Sequence, residues 1–112
     1  MATTLKQIIA PTNLTASSVS YYTVPTNVVT VLRSLTLSNS GTTARTVDIH
    51  IVPTGGSPDT SNIVINDLSI GSEETKAVTK LVNHVLKAAD EIYIGQDAGT
   101  DLVVLASGAE VS

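Results

Sequence analysis

LRSLTLSNSGTTARTVDIHIVPTGGSPDTSN, residues 32–62, is the stretch whose reading decides the fold. Val47, Ile49 and Ile51 alternate strictly with Thr46, Asp48 and His50. A period of two marks a strand with one buried and one wet face. Upstream, between Val28 and Asn39, the apolar residues at 29, 31, 35 and 37 are expected on one face, with Arg33 interrupting the alternation. Between the two segments, NSGTT supplies a turn, because Asn and Gly tolerate positive φ and Ser and Thr bond to nearby backbone. The pattern predicts a long antiparallel hairpin over residues 28–52. PTGGSPDTSN, residues 53–62, holds turn formers and no core residue, and reads as an exposed loop.

Working outward, SVSYYTVP (18–25) is a strand stopped by Pro25, which cannot donate to a ladder. In IVINDLSI (63–70) the apolar phase switches after Ile65, which places a bulge or tight turn at Asn66-Asp67. GSEETKAVTKLV (71–82) reads as a strand with its charges outward. Leu81, Val82, Val85, Leu86 and Ala89 also fit a helical stripe. The short length and flanking strands favour a strand or irregular connection there. Residues 90–111 read as a closing hairpin, with Ile92 and Ile94 on one arm and Leu102, Val104 and Ala106 on the other. Residues 1–17 form an N-terminal arm whose apolar patch, Leu5, Ile8 and Ile9, either adds an edge strand or docks on a neighbour. Turn signals recurring every ~8–12 residues complete an all-β expectation. It is a single antiparallel β-sandwich over 18–112, jelly-roll or Ig-like, of about seven or eight strands.

The chain of 112 residues is long enough for one domain. It has no Phe or Trp and only Tyr21, Tyr22 and Tyr93, so aliphatic side chains must fill the core. Such a thin core suits a subunit completed by its neighbours. Charged residues make up 14%, below the roughly 25% of an ordinary soluble domain. That surface suits extensive protein contact, and equally a plain soluble sandwich. The net charge is −4, and Lys6, Arg33, Arg45, Lys76, Lys80 and Lys87 are scattered singly. Nucleic-acid binding needs clustered cations to neutralise phosphates, so it is not expected. Cysteine is absent, which removes disulfide and thiolate chemistry. No apolar run is long enough for a membrane helix, and the N-terminus lacks the apolar core of a signal peptide. Synthesis and assembly in a cytoplasm are expected.

Chemistry-bearing groups are few. His50 and Asp48 share a strand face but lack the third ligand or nucleophile that a metal or catalytic site requires. His84 stands beside Asn83. Glu73-Glu74, Asp90-Glu91, Asp97 and Asp101 sit near turns, where solubilising and turn-forming roles account for them. Asp97 and Asp101 make only a sparse calcium loop. Gly55-Gly56 fits no phosphate-binding pattern, and neither G-x-S-x-G nor H-E-x-x-H occurs. Neither enzymatic activity nor a cofactor is expected. Adjacent strand residues face opposite ways, so one of Tyr21 and Tyr22 can pack inside while the other stands out; core or edge packing is the default reading, and an exposed tyrosine can instead anchor a partner. The candidate partner contacts are therefore Leu5, Ile8, Ile9, Tyr21 and Tyr22.

A set of structural motifs runs through residues 19–111: Tyr22-Val24-Pro25, Leu35-Leu37-Asn39, Gly41-Thr42, Val47-Ile49-Ile51-Pro53-Gly55-Gly56 and Ser107-Gly108-Glu110. Their order resembles small β-sandwich virion proteins of tailed bacteriophages. Ala89 departs from that pattern, which favours glycine. The resemblance implies a non-enzymatic virion protein, made in the bacterial host. It implies capsid decoration (cement): copies bind the capsid exterior, often as homotrimers, contact the major capsid protein, and bridge capsomers against internal DNA pressure. A neck, tail or fibre component binding other virion proteins or host carbohydrate is the alternative.

Overall fold

The computed structural model describes residues 2–112. Nine strands follow in order: β1 (Thr3–Asn13), β2 (Val19–Thr23), β3 (Val29–Asn39), β4 (Arg45–Val52), β5 (Ile63–Ile70), β6 (Thr75–Ala77), β7 (Val85–Leu86), β8 (Glu91–Gln96) and β9 (Leu102–Val111). One 3₁₀ turn, Thr79–Leu81, separates β6 from β7. All strand pairs are antiparallel. Sheet A has the order β1-β9-β3-β6, with β7 also on β3; sheet B has the order β2-β8-β4-β5. First pairs with last, second with next to last, and so inward, with β6 and β7 sharing one position. That nesting is a jelly roll.

Between the sheets lie the buried Leu14, Leu32, Leu35, Leu37, Val47, Ile49, Ile70, Ile92, Ile94, Leu102 and Val104. These are almost all aliphatic, as the composition required. Tyr22 is the one buried aromatic ring. Its hydroxyl donates to Glu110 Oε2 at 2.6 Å and shares a 2.7 Å bond with Thr30 Oγ1. Burial, then the Glu110 carboxylate, push the Tyr22 hydroxyl up to about 12.

Neither expected hairpin forms. β3 lies in sheet A and β4 in sheet B, and β8 and β9 are divided in the same way. Both ladder edges of β3 are taken, by β9 on one side and by β6 and β7 on the other, so β4 has no edge to join. The chain arches over the core instead. Asn39 turns it: its side-chain amide donates to Thr43 O (2.8 Å) and Ile70 O (3.2 Å), and its Oδ1 accepts from Gly41 N (2.9 Å). The second arch packs beside the first. Ser40 N donates to Asp101 O at 3.1 Å, and Arg45 Nε to Asp101 Oδ2 at 3.0 Å. A Cβ at Gly41 would lie 2.7 Å from Asp101 Oδ2, so glycine permits this approach.

Arg33 is a bulge residue. The ladder with β9 steps from Leu32↔Gly108 directly to Ser34↔Ser107. One extra residue reverses the side-chain phase. Leu35 and Leu37 therefore face the core, whereas Val29 and Val31 face outward, not the single shared face that the alternation suggested. A matching bulge in β1, between Gln7 and Ile9, puts adjacent Ile8 and Ile9 both in the core. The expected bulge in β5 is present, between Ile65 and Leu68, where Asp67 adopts φ 52° and its N–H donates to Asp48 Oδ1 at 2.8 Å.

The segment 71–82 is only briefly a strand, pairing over Thr36↔Ala77 to Ser38↔Thr75 before the 3₁₀ turn. Residues 81–89 are short strand and turn, with no α-helix. Ala89 has φ 68°, so this turn uses the left-handed geometry that glycine adopts without strain.

Candidate docking surface

The five residues expected to contact partners separate in the structure. Ile8, Ile9 and Tyr22 belong to the chain's own core, and Tyr21, at a bulge in β2, packs against it half-buried with its hydroxyl enclosed. Leu5 stands free, 83% exposed. The arm is β1, paired along its length with β9.

Leu5 belongs to a larger surface. Residues directly opposite in a ladder share a face. Leu5, Ala109, Val31 and Val85 form one outward row across sheet A. Thr3, Val111 and Val29 form the next row, and Gln7, Ser107 and Ser34 the one on the other side. Further along come Leu105, Thr36 and Ala77, then Val103, Ser38 and Thr75. None of these paired positions carries a charge. Arg33 occupies the bulge and reaches to Asn83 Oδ1 at 3.3 Å. At one end the face is aliphatic apart from Thr3, with Val85 61% and Val29 41% exposed. Sheet dimensions make it roughly 20 Å by 30 Å, on the order of 600 Å². A stable protein interface buries about 800 Å² per partner, so the face is of near-interface size.

Sheet B presents the opposite character. Its outward positions include Asp48, His50 and Glu91. Glu91 accepts from the hydroxyls of Ser20 (2.9 Å) and Thr23 (3.1 Å). His50, largely buried, shares a 3.0 Å bond between Nδ1 and Asn62 Oδ1. Asn62 also bonds Ser57 O and Asp59 N, gathering the loop 53–62. In that loop the Ser61 hydroxyl and N–H hold the Asp59 carboxyl below its ordinary range.

The remaining carboxylates serve turns. Glu74 accepts from Gly71 N, Asp90 from Lys87 N, and Asp101 from Arg45. Asp101 is thus tied to Arg45, and Asp97 donates its own N–H to Thr46 O. Among the described residues no group of three or more His, Cys, Asp or Glu side chains could hold a metal ion, and no helix is long and apolar enough to cross a membrane. Two shallow grooves of about 460 and 410 Å³ lie between β5 and the β6–β7 segment; the first mixes aliphatic side chains with Asn66, Asp67, Lys76 and Lys80, and the second is mainly aliphatic, with Lys80 and His84. Lys76 Nζ crosses the first of them to Ser69 O at 2.7 Å.

No family model, curated protein or solved structure matches this chain. Its surfaces must therefore speak for its function. What they present is a broad uncharged sheet face backed by an acidic one. In the sequence that face was hidden by the Arg33 bulge, which turns Val29 and Val31 outward. The one signal for it was the interruption at Arg33.

Proposed function

We propose that this protein is a non-enzymatic structural component of a tailed-phage particle, a capsid decoration protein. It lies against the outside of the shell through the uncharged face of sheet A. Many copies, made in the bacterial host, contact the major capsid protein and each other and bridge neighbouring capsomers. Each contact made only in the assembled shell favours that shell by mass action. The observation that carries this reading is the two-sided sandwich, a neutral face of near-interface size opposite a face bearing Asp48 and Glu91. Jelly rolls recur in viral capsid proteins, which accords with it. A carbohydrate-binding fibre has less support, because sugar recognition favours exposed aromatic rings. No aromatic side chain stands on the sheet A face.

The test is particle loading. Purified particles should carry hundreds of copies, and Leu105→Asp, at mid-face, should abolish binding to bare shells while far-UV dichroism and melting stay close to those of the parent. Glu91→Gln, on sheet B, should load normally. A handful of copies per particle would move the protein to the neck or tail. Equal loading by the Leu105 variant would remove the sheet A face from the interface.

A further inference from the structure

β1 is the free edge of sheet A, since no strand of the described residues pairs with its outer side. Long open edges template pairing with another chain, and proteins commonly guard them with bulges, prolines and charges. The C-terminal part of β1 is guarded in this way, with register breaks between Gln7 and Ile9 and between Ile9 and Thr12, and with Pro11. The first part is not. From Thr3↔Val111 to Gln7↔Ser107 the register with β9 is unbroken.

The hydrogen-bond phase shows which groups this open edge offers. Ala2 and Ser112 exchange both backbone bonds, each 2.9 Å. Antiparallel ladders alternate, so Thr4 and Lys6 also turn their N–H and C=O groups inward to β9. Thr3, Leu5 and Gln7 therefore turn theirs to the open side. These three residues are also the β1 members of the uncharged face.

We propose that a second copy of this chain pairs on β1, antiparallel, with Leu5 on the two-fold axis. In that register Leu5 meets Leu5 of the partner subunit, and Thr3 and Gln7 each meet the other residue's counterpart. All three pairs are of the bonded kind, giving about six backbone hydrogen bonds. The contact is isologous, as a closed dimer requires. No like charges are placed opposite each other, because Lys6 falls opposite Thr4. Leu5, 83% exposed in the single chain, gains an apolar neighbour on its one open side. Two sheets become one, and the neutral faces of both copies form a continuous surface. The dimer differs from the trimer that the phage resemblance implies, and it stands independently of the shell assignment.

The chain lacks cysteine, so single cysteines report the register directly. Under oxidised glutathione, Leu5→Cys should form covalent dimers, because bonded-pair Cα atoms about 5.5 Å apart suit a disulfide. Thr3→Cys alone and Gln7→Cys alone should not, their copies lying about 13 Å apart along the strands. An equimolar mixture of those two variants should cross-link. Light scattering on the full chain should give twice the monomer mass, and Leu5→Asp should halve it without loss of the fold. A monomeric or trimeric parent, or cross-linking of Thr3→Cys as fast as Leu5→Cys, would overturn the proposal. Particle loading by Leu5→Asp separates the two readings: a monomer that still loads leaves the shell assignment intact.

Discussion

Replacing Gly108 with alanine should be among the most damaging small changes in the molecule. Gly108 lies in β9, paired with Lys6 on one side and Leu32 on the other. The Arg33 bulge brings the Val31 carbonyl over it, so a Cβ would sit 2.4 Å from Val31 O and 3.1 Å from Ile8 Cγ1. Ordinary contacts begin near 3.4 Å, so backbone in a central strand must move by about an ångström. Forcing extra volume into a packed site costs about 1–3 kcal/mol, and each weakened ladder bond adds about 1 kcal/mol. A total of about 3 kcal/mol is a large share of a stability of roughly 5–15 kcal/mol. It should lower Tm by roughly 10 °C or more. Urea denaturation with an unchanged m value would give the difference directly. Deleting Arg33 restores a regular ladder without altering which residues face the core. In that background the cost of Gly108→Ala should fall by at least about 1 kcal/mol, a coupling typical of contacting residues. A loss below about 0.5 kcal/mol in the parent, or equal losses in both backgrounds, would refute the bulge as the reason for glycine.

Ala89→Gly should stabilise the protein by about 0.5 kcal/mol. Relief of the left-handed strain, about 1–2 kcal/mol, exceeds the added unfolded-state entropy and the loss of a half-buried methyl. Its mirror, Gly55→Ala at φ 79° in open space, should destabilise by a comparable amount, and paired thermal melts would compare them. Asn39→Ala removes three hydrogen bonds at a buried arch and should cost about 2–3 kcal/mol by denaturant titration, more than any surface substitution in the loop 53–62. The Tyr22 hydroxyl makes stability alkali-sensitive. Its proton is held more tightly in the folded chain, so its contribution is complete below pH 10 and lost as pH rises through about 12. Tyr22→Phe should be less stable near neutrality but flatter over that window, as followed by denaturation at each pH; a parent curve as flat as the variant's would be the contrary result.

Much of the sandwich was legible because alternation reports which face of a strand is dry. Val47, Ile49 and Ile51 were placed correctly, as were Ile92, Ile94, Leu102, Val104 and Ala106, and the phase switch at Asn66-Asp67 marked a real bulge. Alternation carries no information about which edge a strand pairs through. A hairpin and an arch over the same core leave identical patterns, and NSGTT and the turn formers at 96–101 (QDAGTD, between β8 and β9) serve arches here. What decides between them is β9 filling the edge of β3, a contact between segments some seventy residues apart. The docking face was illegible for a related reason. Its character depends on five strands brought side by side, and on a bulge whose only trace was one arginine out of phase.

The nested strand order also governs when the protein can exist at all. β9 leaves the ribosome after every other strand, yet it lies between β1 and β3 and supplies the ladder for both. Until it arrives, sheet A has no middle, and β1 waits with an unpaired edge on each side. Local pairing during synthesis is confined to the β4–β5 hairpin and the short strands on β3. Closure of sheet A should therefore await the synthesis of β9, with the slowness typical of distant strand pairings. Chains truncated before Leu102 would lack the strand that joins the two halves of sheet A, so only chains carrying β9 would display the neutral face.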